Sequence, residues 1–185
     1  MVRPSLLTLA VGLSLVVSSA ACADDLIAPG PRIYAQSSSG KYAIKILPGT
    51  SAGKSEGVFF TLDKDGKEEV IWRTKLVNIP GPAIITENGK YVITLDTFLR
   101  IDEHCLVVYG EKGKVIADFK LEDLLTAKEI ESIPRTVTMR GWHDKGIAEF
   151  EDRSFGYDQM VIRMKHKGWA KVIRLSLSSG KIVKE

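Results

Sequence analysis

The segment Leu47-Pro48-Gly49-Thr50-Ser51-Ala52-Gly53-Lys54-Ser55-Glu56-Gly57 contains two patterns with chemistry attached. Gly49 to Gly53 spells G-x-S-x-G, the nucleophile elbow that presents a serine for acyl transfer. Gly53-Lys54-Ser55 is the tail of a P-loop, in which backbone N–H groups and a helix N-terminus surround phosphates. Both motifs demand a helix directly after the turn, whereas Val58-Phe59-Phe60-Thr61-Leu62 reads as a strand. A P-loop also needs a glycine at position 48, which is Pro48. Gly, Ser and Thr between two strands read instead as a hairpin loop without chemistry.

Other candidates are weaker. Asp63-Lys64-Asp65-Gly66 suggests a calcium loop, but Thr61 and Trp72 stand where an EF-hand needs Asp and a bidentate Glu. Asp102, Glu103, His104 and Cys105 put carboxylates, an imidazole and a thiol side by side. Adjacent residues of a strand point to opposite faces, so the expectation is a solvated His104 beside a buried Cys105, not a shared site. Trp142-His143-Asp144-Lys145-Gly146 is expected in a turn, and His166 in a charged Lys165-His166-Lys167 hairpin. If Trp142 and His143 lie on an exposed rim, they contact a partner or ligand. The candidate contact residues are therefore Trp142, His143, His104 and Asp102. No catalytic, cofactor-binding or metal-ligating set emerges, and no cofactor is expected.

The elements that would position these residues are mostly strands. Apolar residues alternate in Tyr42–Leu47 and Tyr91–Leu95, and short β-branched blocks occur at Val58–Leu62, Val70–Trp72, Leu106–Tyr109 and Val115–Phe119. Further strands are expected at Thr136–Met139, Ile147–Phe150, Met160–Met164 and Lys171–Leu177, separated by Asp65-Gly66, Asn88-Gly89, Lys112-Gly113, Lys167-Gly168 and Ser179-Gly180 turns. Residues 121–133 break this pattern. Thr126-Ala127-Lys128-Glu129 has capping-box spacing, Ile130 and Ile133 form a narrow apolar stripe, and Pro134 stops it. One or two short helices are expected there. Trp72, Trp142 and Trp169, with Tyr42, Tyr91 and Tyr109, are the natural core aromatics.

The chain also repeats. Ser38–Leu47 (SSGKYAIKIL) is echoed by Glu87–Asp96 (ENGKYVITLD), and Leu62–Trp72 by Tyr109–Phe119. A degraded third copy runs from Gly156-Tyr157 to Gly180-Lys181. The motif, followed by a strand and an x-x-G-K hairpin, resembles YVTN-type and related bacterial β-propeller repeats. The whole chain is also similar to small secreted bacterial proteins of no assigned activity. The resemblance implies a mainly β fold of antiparallel, propeller-blade-like units near 33–75, 82–120 and 135–185, with the helical insert at 121–133. Closed propellers need about 4–8 blades, and repeats of about 50 residues leave room for roughly three. The units then form an open fragment or sandwich, or close against another chain.

The N-terminus carries an address. Arg3, the apolar run Leu6–Val17 and the small residues Ser18–Ala21 lead to Ala21-Cys22-Ala23, the pattern of a signal peptide removed as residues 1–23. Export to the periplasm or cell exterior is expected, with residues 24–185 as one β-repeat domain. Acylation at Cys22 is the alternative, although a lipobox wants a Leu-like residue at position 19, which is Ser19. No later stretch approaches the ~20 apolar residues of a membrane-spanning helix. A formal net charge of +3 on 185 residues argues against nucleic-acid or anionic-membrane binding, which clusters Lys and Arg. Two function classes remain. One is a non-enzymatic module binding a protein, an envelope component or another copy of itself. The other is a small secreted hydrolase in which Asp102, His104 or His143 converge from distant positions.

Overall fold

The computed structural model describes residues 32–35, 40–47, 55–96, 101–136, 140–144, 146–154 and 157–183. The Asp65-Gly66 turn illustrates how short-range chemistry builds its hairpins. Asp63 Oδ1 accepts the backbone N–H groups of Asp65 at 2.9 Å and Lys67 at 2.8 Å, and Gly66 takes φ +79°, which only glycine adopts freely. The carboxylate that resembled a calcium ligand is therefore committed to the turn. Among the described residues, no group of three His, Cys, Asp or Glu is placed to hold a metal ion.

Among the described residues, twelve strands form three four-stranded antiparallel sheets, each in simple chain order. The first contains β1 (Arg32–Ala35), β2 (Tyr42–Leu47), β3 (Glu56–Leu62) and β4 (Glu68–Lys75). The second contains β5 (Pro80–Ile85), β6 (Val92–Asp96), β7 (Leu106–Tyr109) and β8 (Val115–Phe119). The third contains β9 (Ala148–Arg153), β10 (Gln159–His166), β11 (Trp169–Ser176) and β12 (Lys181–Val183). Among the described strands, none pairs from one sheet to another.

The central strands of the second sheet are buried at every position, and strand periodicity explains why. Ile93 and Leu95 of β6 and Leu106 and Val108 of β7 enter one core with Met160, Ile162 and Met164 of β10 and Ile173 and Leu175 of β11. The alternate residues Val92, Val107 and Tyr109 enter a second core with Ile44, Ile46, Phe59 and Trp72 of the first sheet. The second sheet thus shares one core with each of the others. Aromatic rings carry the second core from sheet to sheet: Tyr42–Phe59, Phe59–Trp72 and Trp72–Tyr109 have centroids 5.9, 5.2 and 6.3 Å apart. Gly89, at φ +66°, lies flat against Tyr42, where a Cβ would stand 2.3 Å from the ring.

The helical insert consists of α2 (Leu121–Leu124) and α3 (Ala127–Ser132). Thr126 N–H donates to Glu129 Oε2 at 2.7 Å and Glu129 N–H to Thr126 Oγ1 at 3.4 Å, a complete capping box. Leu121, Leu124 and Leu125 join the first core, while Lys171 Nζ meets Glu129 Oε2 at 3.3 Å and Trp169 Nε1 donates to Ser132 Oγ at 2.8 Å. The insert is thereby tied to the third sheet. A further short helix, α1 (Ile101–His104), stands between β6 and β7. This corrects one expectation: His104 closes a helical turn and does not lie on a strand with Cys105. No described helix is long and apolar enough to cross a membrane. Of the expected strand Thr136–Met139, residues 137–139 lie outside the described residues, as does the leader 1–23.

Candidate functional site

A cluster of buried polar groups lies where the first sheet hands the chain to the second. After β4 the chain runs through Leu76–Ile79 with its backbone amides facing inward. Val77 N–H donates to Tyr109 Oη at 2.8 Å, and Ile79 N–H to Asp96 Oδ2 at 3.4 Å. Asn78 sits between them, 2% exposed. Its Nδ2 donates to the carbonyls of Thr94 at 3.4 Å and His104 at 3.2 Å, and its Oδ1 accepts the Thr94 hydroxyl at 2.8 Å. Thr94 and Asp96 are equally buried on β6. Asp96 N–H donates to the Cys105 carbonyl at 3.0 Å, and Trp142 Nε1 donates to the Asp96 carbonyl at 2.9 Å.

These contacts join the β4–β5 connection, β6, α1 and the approach to the third sheet. A buried amide, hydroxyl and carboxylate cost free energy unless each is paired, and here each has partners. Burial pushes the Tyr109 hydroxyl up to about 12, so it stays a protonated phenol at any ordinary pH.

The sequence-derived candidates fall unevenly around this cluster. Trp142 is 0% exposed, as its reading as a core aromatic expects, and the condition of an exposed rim is not met: its ring packs in the first core and its N–H is occupied. His143 follows it in a turn, as expected, and packs edge-on against Trp142 at 5.6 Å. Burial holds its imidazole below the usual histidine range, only partly opposed by the neighbouring Asp144 carboxylate. His143 Nε2 is buried without a hydrogen-bond partner, so it serves here as a neutral packing group. His104 is half-exposed, its backbone carbonyl in the cluster and its Nδ1 turned to Asp118 Oδ2 at 2.8 Å. Cys105 is fully buried. Asp102 belongs to α1, but its side chain lies outside the described residues.

Sequence reasoning missed Asn78, Thr94, Asp96 and Asp118. None stands in a recognisable motif, and the one available signal was polar residues within or beside apolar runs (Thr94 and Asp96 in Val92–Asp96). For the opening loop, residues 48–54 lie outside the described set, and β3 begins at Glu56, a strand where both the P-loop and the elbow require a helix. Clefts lie elsewhere: one of about 320 Å³ is lined by Asp123, Leu124, Lys171, Arg174, Ile182 and Val183, and another of similar size includes Glu149, Arg163 and Lys165.

The cluster can orient and lock; its polar atoms already use one another. Among the described residues, His104–Asp118 has the form of a catalytic pair, a carboxylate fixing an imidazole tautomer. Comparison with protein-family models, curated proteins and solved structures found no match.

Proposed function

We propose that this chain is an exported, non-enzymatic module whose three sheets are blades of propeller type, and that it acts by contact with a protein or cell-envelope partner. The observation that carries the reading is the Asn78–Thr94–Asp96 cluster. The polar groups most deeply gathered in the fold hold one another across elements and present no reacting atom to a substrate. That each of the three sheets is a four-stranded antiparallel meander supports the blade reading. The Ala21-Cys22-Ala23 site after an apolar run supports export.

The test combines two measurements. N-terminal sequencing of secreted material should begin at Asp24, and pull-down from envelope extract should return a saturable partner. A chain beginning at an acylated Cys22 would replace free export with lipid anchoring. Turnover of a small ester, amide or glycoside without any partner would replace the module with an enzyme.

One observation favours that second reading, a small secreted hydrolase: Asp118 fixes Nδ1 of a half-exposed His104, as a general base requires. If it holds, His104→Ala abolishes turnover while His143→Ala leaves it.

A further inference from the structure

β4 is the longest edge strand of the three sheets, with eight residues, and it pairs on one side only, with β3. Among the described residues no strand pairs with its opposite side, and the backbone N–H and C=O groups of such an edge are open to a compatible strand. Other described edges are shorter: β12 has three residues, and β8, with five, is approached by Gly180, whose Cβ would lie 2.7 Å from the Ile116 carbonyl oxygen. Gly113 approaches β4 itself, against the side chains of Thr74 and Trp72, where a Cβ would lie 2.8 Å from Thr74 Cγ2. On β4, Val70 is 52% and Ile71 45% exposed, unusual for large aliphatic side chains at the middle of a strand.

The strand is also polar along its length. Glu68-Glu69 stand at its start, Val70-Ile71-Trp72 at its centre, and Arg73 and Lys75 at its end. A register shift sets Phe59 opposite Trp72 and Phe60 opposite Val70, leaving Ile71 as the extra residue of a bulge. Because of that bulge Glu68, Val70, Arg73 and Lys75, opposite Leu62, Phe60, Val58 and Glu56, share one face of the sheet.

We propose that β4 pairs antiparallel with β4 of a second copy of this chain, joining the two first sheets edge to edge. Strand reversal brings the acidic end of each β4 to the basic end of the other, with the aliphatic centres in contact. Parallel pairing would set like charges together, and opposed like charges destabilise a strand pair. A foreign edge without this polarity meets unmatched charge, and the central bulge shortens the regular stretch it can use, so the device selects as well as binds. The existing Lys45–Glu68 and Arg73–Glu56 bridges, at 3.2 and 3.5 Å, are solvent-accessible and rearrange at little cost. The inference rests on the contact-module reading above and names its partner.

Light scattering on the purified chain over a wide concentration range tests it. A monomer–dimer equilibrium is expected that weakens as salt is added. Glu68→Lys with Glu69→Lys, or Arg73→Glu with Lys75→Glu, should each weaken association by roughly tenfold or more, and mixing the two variants should restore a heterodimer. Circular dichroism confirms that each variant folds, and the salt dependence of the native chain is independent of any variant. A monomer at every concentration, a dimer that both variants retain, or a mixture that fails to pair overturns the proposal. A monomer that still captures an envelope protein removes self-pairing and leaves the contact reading standing. A β4 dimer that turns over a substrate does the reverse.

Discussion

Trp142 donates its indole N–H to the carbonyl of Asp96 at 2.9 Å, across 46 positions of sequence. The bond ties the segment leading into the third sheet to the last residue of β6. Trp142→Ala removes both the packing and the donor and should destabilise the fold by about 3–5 kcal/mol. Trp142→Phe keeps most of the packing and should cost about 1–3 kcal/mol through the unpaired carbonyl and the lost ring. Urea midpoints for the two variants separate these contributions: equal losses would show that the packing phenylalanine retains contributes nothing, and a Trp142→Phe variant as stable as the native chain would show that the hydrogen bond contributes nothing.

Asn78 and Thr94 act as one unit because the amide oxygen accepts the hydroxyl while the amide nitrogen donates to two backbone carbonyls. Asn78→Ala should cost about 1–3 kcal/mol for the groups left unpaired. In a cycle with Thr94→Val, the double variant should lose less than the two single losses together, with a coupling of about 0.5–3 kcal/mol. Strict additivity would mean that the pair is not a unit.

Gly89 marks a close approach between the first and second sheets. Gly89→Ala meets two obstacles, a positive φ of +66° and the Tyr42 ring 2.3 Å from the new Cβ. A loss of about 1–3 kcal/mol is expected. Removing the ring with Tyr42→Ala should make the glycine substitution cheaper than in the native background, leaving only the backbone penalty. Equal cost in both backgrounds would exclude the steric part.

His143 predicts a pH dependence of stability. Burial lowers its folded-state value below the ordinary 6.5, so below that pH the unfolded chain binds a proton that the folded chain does not. Its contribution is complete above the unfolded value and declines as pH falls through 6.5 toward the depressed folded value. Denaturation midpoints of native chain and His143→Gln, measured between neutral and mildly acidic pH, should converge as the pH drops. Parallel curves would show that His143 titrates alike in both states.

Where an element depends on neighbours in sequence, the residues themselves determined it. Alternation placed β2 and β6, a β-branched block placed β7, Asp63-Lys64-Asp65-Gly66 made a turn, and Thr126 to Glu129 capped a helix, because period, turn and cap all act within a few residues. The failure of the P-loop and elbow patterns was legible for the same reason, since a strand at Glu56–Leu62 excludes the helix both need. Tertiary structure decided everything that joins distant segments. Trp142 read as a core aromatic, but its hydrogen bond to Asp96 and its neighbours in the first core are visible only in the fold. His104 read as a strand residue, and only the fold shows a helical turn with Asp118 beside its ring. Asn78, Thr94 and Asp96 match no motif because the partners of their side chains lie 16 to 26 residues away. A buried polar group is defined by what surrounds it in space, and that neighbourhood exists only once the sheets have packed.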